Sequence, residues 1–214
     1  MALFLVALTG GIASGKSTVG KCLARKGAFL IESDALARKV VEKGSEAYRE
    51  IVEHFGEGIL DHQGNIDREK LGAVVFHDPS EREFLNRVTH PRILALMAEQ
   101  IETIRKESGN EAIVVLDIPL LVEAGAARAF DFTLVVDASP ETQEERLVTD
   151  RGLTREDAKA RIACQASREE RLRVADFVIH NEGSLEDLEK EVERAWSAIL
   201  EAKEKRNENG QKGL

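Results

Sequence analysis

Residues 6–18 read V-A-L-T-G-G-I-A-S-G-K-S-T, an apolar run that passes directly into Gly10-x4-Gly15-Lys16-Ser17. Few sequence features constrain a fold so tightly. The pattern predicts a buried strand over Leu3 to Leu8, a tight turn, and a helix over Ser17 to Lys26 with Val19, Cys22 and Leu23 on one face. Glycines in such a turn let backbone N–H groups face inward as an anion nest. The helix that follows adds the positive end of its dipole, and a lysine at position 16 can reach β/γ-phosphates. The expected phosphate site therefore comprises Gly11, Ile12, Ala13, Ser14, Gly15, Lys16, Ser17 and Thr18, with Ser17 placed to hold Mg²⁺.

The rest of the chain reads as a parallel α/β sheet protein with a helical interruption. Ala28 to Ile31 is a short apolar strand ending at Glu32-Ser33-Asp34. Ligands of such sheets gather at the carboxyl ends of strands, so Asp34 is expected near the phosphate loop; an aspartate there can equally cap a helix beginning at Ala35. From Ala35 to about Ser108 no strand pattern is found. Helices are expected over Ala35 to Lys43, Glu46 to His54, Asp67 to Phe76 and Ser80 to Arg87, then a long one opened by Pro91 with Ile93, Leu94, Met97, Ile101 and Ile104 in register. Strands return at Ala112 to Asp117, Phe132 to Asp137 and Phe177 to His180, too continuously apolar for a one-sided sheet. A final helix opens with Ser184-x-x-Asp187 and carries Leu185, Leu188, Val192, Trp196, Ile199 and Leu200 as a core stripe. Beyond Lys203 the sequence is too polar for a packed core, and a disordered tail is expected.

Charge separates the regions. The chain of 214 residues has a formal net charge of -9, which disfavours nucleic acid and anionic membrane surfaces as partners. Residues 146–173 invert that balance, with eight Lys/Arg against five Asp/Glu, as expected of a lid that faces an anion. The opening apolar segment has no basic flank and runs into the phosphate loop, so it reads as a core strand and not as a leader. No other apolar run approaches the roughly 18 residues of a membrane span. Cys22 and Cys164 are the only cysteines and form no Cys-x-x-Cys pair. The five histidines lack metal-ligand spacing, and none is assigned to chemistry. A soluble cytoplasmic protein, more readily a monomer than an oligomer, is expected.

Phosphoryl transfer requires positioning and charge neutralisation more than covalent chemistry. Lys16 and the loop amides can hold donor phosphates, Ser17 and the strand-end Asp117 can hold the metal, and Asp34 can orient an acceptor hydroxyl. Several motifs together resemble the dephospho-coenzyme A kinase family: Leu8-Thr-Gly-Gly-Ile-Ala-Ser-Gly-Lys-Ser-Thr18, Ser33-Asp-Ala-Leu-Ala-Arg38, Ile66-Asp-Arg with Leu71 and Val75-Phe76, His90-Pro91, and Leu116-Asp-Ile-Pro-Leu-Leu-Val-Glu123. The likeness continues through Gln143-x-x-Arg146 with Arg151, Arg161-Ile-x-x-Gln165, and Ala175-Asp176 to Asn181, and so spans about residues 1–200.

This resemblance implies transfer of the ATP γ-phosphate to the ribose 3′-hydroxyl of dephospho-coenzyme A, with Mg²⁺. It implies a P-loop core with a five-stranded parallel sheet (1–33, 110–140 and 175–204), a helical acceptor domain (34–109), a lid (141–174) and a tail (205–214). Carried over by position, Asp34 is the acceptor-activating carboxylate; Asp117 is expected to join it in binding the acceptor. Lys16 is the P-loop lysine, Arg146 and Arg151 face the nucleotide phosphates, and Arg161 and Gln165 are weaker lid candidates. Three positions depart from the common pattern. Ala13 replaces a frequent glycine and calls for an ordinary φ, Glu32 lengthens a frequent aspartate, and Val122 replaces a frequent phenylalanine. A nucleoside or nucleoside-monophosphate kinase would share core and lid, but lacks reason for Asp117-Ile-Pro-Leu-Leu and the long helical insertion. A regulatory nucleotide switch of the GTPase kind would need Asn-Lys-x-Asp, and no asparagine here precedes a lysine.

Overall fold

The computed structural model describes residues 3–109 and 111–211. Its frame is a five-stranded parallel sheet in the order β2-β3-β1-β4-β5, formed by β1 (Phe4–Gly10), β2 (Phe29–Glu32), β3 (Ile113–Asp117), β4 (Phe132–Asp137) and β5 (Phe177–His180). Every residue of β3 and β4 is buried, which is why these strands read as continuous apolar runs. The register sets Leu8 beside Asp117 and Gly10 beside Val136. The phosphate loop thus leaves β1 between the carboxyl ends of β3 and β4.

Two helices cover one face of this sheet. Val19, Cys22 and Leu23 of α1 (Lys16–Arg25) and Leu188, Val192, Ala195 and Ile199 of α9 (Leu185–Gln211) share one core with Val6, Leu8, Val115, Leu134 and Ile179. Each such fully buried aliphatic side chain stabilises by about 1.5–3 kcal/mol relative to an exposed one. Ser184 caps α9 as its sequence implies: its hydroxyl accepts from the Asp187 amide while the Asp187 carboxylate accepts from the Ser184 amide, both at 3.2 Å. The stripe is narrower than expected, because Leu185 and Leu200 are 72% and 39% exposed; Trp196 packs at the core's edge.

α9 also runs on to Gln211, which corrects the expectation of disorder from residue 205; residues 212–214 lie outside the described residues. The cause is a set of polar anchors that hydrophobicity alone does not register. The Arg206 guanidinium lies 5.1 Å from the Phe4 ring centroid, donates to the Leu3 carbonyl at 3.0 Å and pairs with Asp131 at 2.5 Å. Lys203 adds an ion pair to Glu111 at 3.0 Å.

Between β4 and β5 stand α6 (Pro140–Arg151), α7 (Arg155–Ala163) and α8 (Arg168–Arg173), each opened by a hydroxyl N-cap, from Ser139, Thr154 and Ser167. Gly152, in the left-handed region at φ 66°, ends α6. Among the described residues no helix is long and apolar enough to cross a membrane.

Residues Glu32–Thr103 form a compact unit of their own. It holds α2 (Ser33–Val40), α3 (Glu46–Phe55), α4 (Arg68–His77) and most of α5 (Pro79–Ser108), with one isolated bridge between Leu60 and Ile66. Val40, Ala47, Ile51, Ile59, Leu71 and Val88 are its core. Two expectations are corrected here. α2 begins at Ser33 after an N-cap at Glu32, so Asp34 is a first-turn residue and not a cap. Pro91 does not open a helix but lies inside α5, which is continuous, so the unit's boundary falls within that helix and not at residue 109. Proline removes one helical hydrogen bond and costs about 3 kcal/mol. That loss is offset because Phe84, Leu85 and Val88 before it, and Ile93 and Leu96 after it, pack against the same core. The Arg92 guanidinium also donates to the Val88 carbonyl at 2.8 Å, in the disturbed turn.

Candidate active site

The phosphate loop is held in shape by both its glycines and its neighbours. Gly15 has φ 92° and serves as the N-cap of α1, a conformation that side chains rarely adopt, and a Cβ there would collide with the Asn181 amide. Gly11 has no room for a Cβ either, because the Gln143 amide and the Arg171 guanidinium press against it. Ala13 is the surprise. Its φ is 58°, so the ordinary backbone expected of an alanine is wrong: the residue is left-handed although it is no glycine.

Lys16 begins α1, and its ammonium contacts the Asp117 carboxylate at the end of β3, with both side chains largely buried. Ser17 and Thr18 follow in the first turn with exposed side chains. Among the described residues, the Ser14 hydroxyl is the buried side-chain polar atom with no hydrogen-bond partner. An unsatisfied buried hydroxyl beside the N-terminus of α1 and the Lys16 ammonium suits an anion. The oxygen set of Ser17 and Asp117 also suits Mg²⁺, which takes few protein ligands and keeps several waters.

Side chains from the segment between β4 and β5, and from the residue after β5, reach this loop directly. Arg146 of α6 donates to the Ala13 carbonyl at 3.2 Å and to the Asn181 carbonyl at 2.9 Å. The Gln165 side-chain oxygen accepts from the Ile12 amide at 2.7 Å, and the Asn181 side chain donates to the Ser14 carbonyl at 2.8 Å. The structure thus brings together Lys16, Asp117, Arg146 and Gln165. Arg151, at the exposed end of α6, and Arg161, exposed on α7, make no hydrogen bond to the loop among the described residues. Asp34 belongs to the other compact unit, exposed in the first turn of α2, and Glu32 is exposed at its N-cap without a side-chain capping bond.

Sequence reasoning assigned no role to Gln143, Asp137, Arg168 or Arg171, and named Asn181 only as the end of a motif. Asp137 ends β4 as Asp117 ends β3, so the strand-end rule could have found it. Its carboxylate accepts from Arg168 Nε at 2.9 Å and 3.1 Å, one to each oxygen, and from Nη2 at 2.6 Å, with His180 at 3.5 Å. Burial pushes the Asp137 carboxyl up, but the Arg168 hydrogen bonds and charge, aided by His180, outweigh it and hold the group below the usual carboxylate range. Burial lowers the Arg171 guanidinium from its ordinary value, opposed by Glu123 and Asp137. Nothing in the local sequence of Gln143 or Asn181 signals that each fills the space beside a loop glycine.

With this geometry in view, comparison with known proteins is specific. The family model described as dephospho-CoA kinase matches residues 4–187. A dephospho-CoA kinase from Streptomyces avermitilis is 45% identical over 195 residues, covering 91% of this chain and 93% of that protein. A crystal structure from Thermus thermophilus is similar at a TM-score of 0.80 and 36% identity, over 94% of this chain and 97% of that one. The dephospho-CoA kinase of Campylobacter jejuni superposes at 0.66 with 31% identity, over 91% and 96% of the two chains. The match runs from β1 through the phosphate loop and α6 to α8 to the start of α9, and on that ground the chain belongs to the dephospho-CoA kinase family.

Proposed function

We propose that this kinase transfers the γ-phosphoryl group of ATP to the ribose 3′-hydroxyl of dephospho-coenzyme A, giving coenzyme A and ADP, the last step of coenzyme A synthesis. The observation that carries the reading is the loop between β1 and α1, where an unpartnered buried Ser14 hydroxyl and Lys16 gather at the carboxyl ends of the central strands, in a chain of this family. The free loop amides and Lys16 bind and orient the donor phosphates, and Lys16 draws negative charge away from the transferring group. Ser17 and Asp117 would hold Mg²⁺, which when bound neutralises charge on the β- and γ-phosphate oxygens.

Asp34 accepts the proton of the attacking hydroxyl and sets its direction, as a general base worth roughly 10²–10⁴ in rate. The helical unit supplies acceptor contacts, and Arg151 comes to the phosphates when the basic lid closes and excludes water. In this reading the enzyme works in the cytoplasm as a monomer, with neither nucleic acid nor membrane as partner. The test is an acceptor screen with γ-labelled ATP. Dephospho-coenzyme A should take the label at its 3′-oxygen far faster than nucleosides or nucleoside monophosphates do; label appearing preferentially in a mononucleotide would replace this reading with the smaller-substrate one.

A further inference from the structure

Three consecutive residues of the phosphate loop are gripped from three directions, and the middle one is strained. Ala13 is the one non-glycine residue with positive φ among the described residues. For an alanine that conformation is strained, and it persists only where the surroundings over-determine it. Here the Ile12 amide is held by Gln165 at 2.7 Å, the Ala13 carbonyl by Arg146 at 3.2 Å, and the Ser14 carbonyl by Asn181 at 2.8 Å. The gripping residues come from three places: the turn after α7, the middle of α6 and the residue after β5.

The attachment behind Gln165 is itself fixed. The Ala166 amide donates to the Glu123 carboxylate at 2.8 Å, and the Ala166 carbonyl accepts from the buried Arg171 guanidinium. The joint between α7 and α8 is therefore tied to the chain beyond β3, and Gln165 reaches the loop from a braced position. Arg146 spends its guanidinium on two backbone carbonyls, which suits a clamp on the loop.

We propose that Gln165, seconded by Arg146 and Asn181, is a positioning residue that forces Ala13 into the left-handed conformation needed to aim the loop's amides at phosphate. Gln165 touches no reacting atom. Without its grip, Ala13 relaxes toward negative φ and the nest opens; a glycine at that position would hold the conformation unaided and make Gln165 dispensable. The inference rests on reading the loop as the ATP-phosphate site.

The test is a double-mutant cycle on the full chain, with Mg-ATP affinity measured by titration calorimetry and the thermal midpoint recorded for each protein. Gln165→Leu should weaken ATP binding about three- to tenfold, the size of one hydrogen bond, with little change in midpoint. In the Ala13→Gly background the same substitution should cost less than about twofold. Gln165→Ala serves in place of the leucine variant if the bulkier side chain lowers the midpoint. An equal loss in both backgrounds, or ATP binding by Gln165→Leu at the wild-type level, would overturn the brace while leaving the kinase reading intact. Failure of the wild-type chain to bind Mg-ATP would overturn both.

Discussion

The sheet end that carries the phosphate loop and the helical unit of residues 32–103 are built to different tolerances. In the first, the loop glycines touch the side chains of Gln143, Arg171 and Asn181, and the Asp117 carboxylate is buried against Lys16. In the second, the core is small, Phe76 and Leu94 are 73% and 63% exposed, and Asp34 faces solvent from a first turn. The difference matches two demands of phosphoryl transfer. A triphosphate must be met by donors placed to a fraction of an ångström, which favours buried, over-determined groups. In the proposed reading, an acceptor that must enter and leave would be served by a unit with exposed apolar surface and an accessible carboxylate.

Substitutions can break this contrast at either end. The largest effect is expected on the exposed side: Asp34→Asn should cut kcat by roughly 10²–10⁴ and leave ATP affinity within about twofold, because in the proposed reading it removes the base and not the donor site. Steady-state kinetics with direct ATP titration checks it, and near-normal turnover rejects the role. Lys16→Ala should lower kcat by about 10²–10³ and also weaken ATP binding, since one side chain serves both the bound phosphates and the charge developing on them. A variant that kept full affinity and rate would remove the loop from the chemistry.

Smaller effects sharpen the comparison through stability. Arg168→Ala strands the buried Asp137 carboxylate and should cost about 1–3 kcal/mol near neutral pH, a range discounted because Arg168 is partly exposed. The Asp137 carboxyl lies below its ordinary value in the folded protein, so its contribution is complete above the usual aspartate range and is lost as the pH falls through the depressed value. Urea unfolding of both proteins across pH should show the gap narrowing as the carboxylate range is entered; a gap that widens in acid contradicts the pairing. The smallest effect is expected of Arg206→Ala, about 1 kcal/mol, read as faster amide exchange confined to the last turns of α9. Unchanged exchange there would mean that the Phe4 and Asp131 contacts do not hold the helix end.

Much of this arrangement was legible in residue order. Strands buried on both faces leave apolar runs, and the Gly10-to-Ser17 spacing permits few backbones, so the sheet, α1 and the Lys16–Asp117 neighbourhood followed from local pattern. Three features did not. Ala13 looked conformationally ordinary because its strain is imposed by Gln165, Arg146 and Asn181, the nearest of them more than 130 positions away. Pro91 looked like a helix start because propensity is local, while the packing of Val88 and Ile93 on a common core is not. The residues beyond 204 looked disordered because Arg206 is anchored by its charge and its stem, which hydropathy counts only as polar.

The account depends on the two ends acting on one substrate pair, and a crystal structure with dephospho-coenzyme A and a non-hydrolysable ATP analogue tests that most directly. It should show an Asp34 carboxylate oxygen within about 2.6–3.2 Å of the ribose 3′-oxygen, with that oxygen in line with the γ-phosphate held by Lys16. A closed complex in which Asp34 points away from the ribose, or in which the acceptor's 3′-oxygen faces another part of the chain, would contradict it.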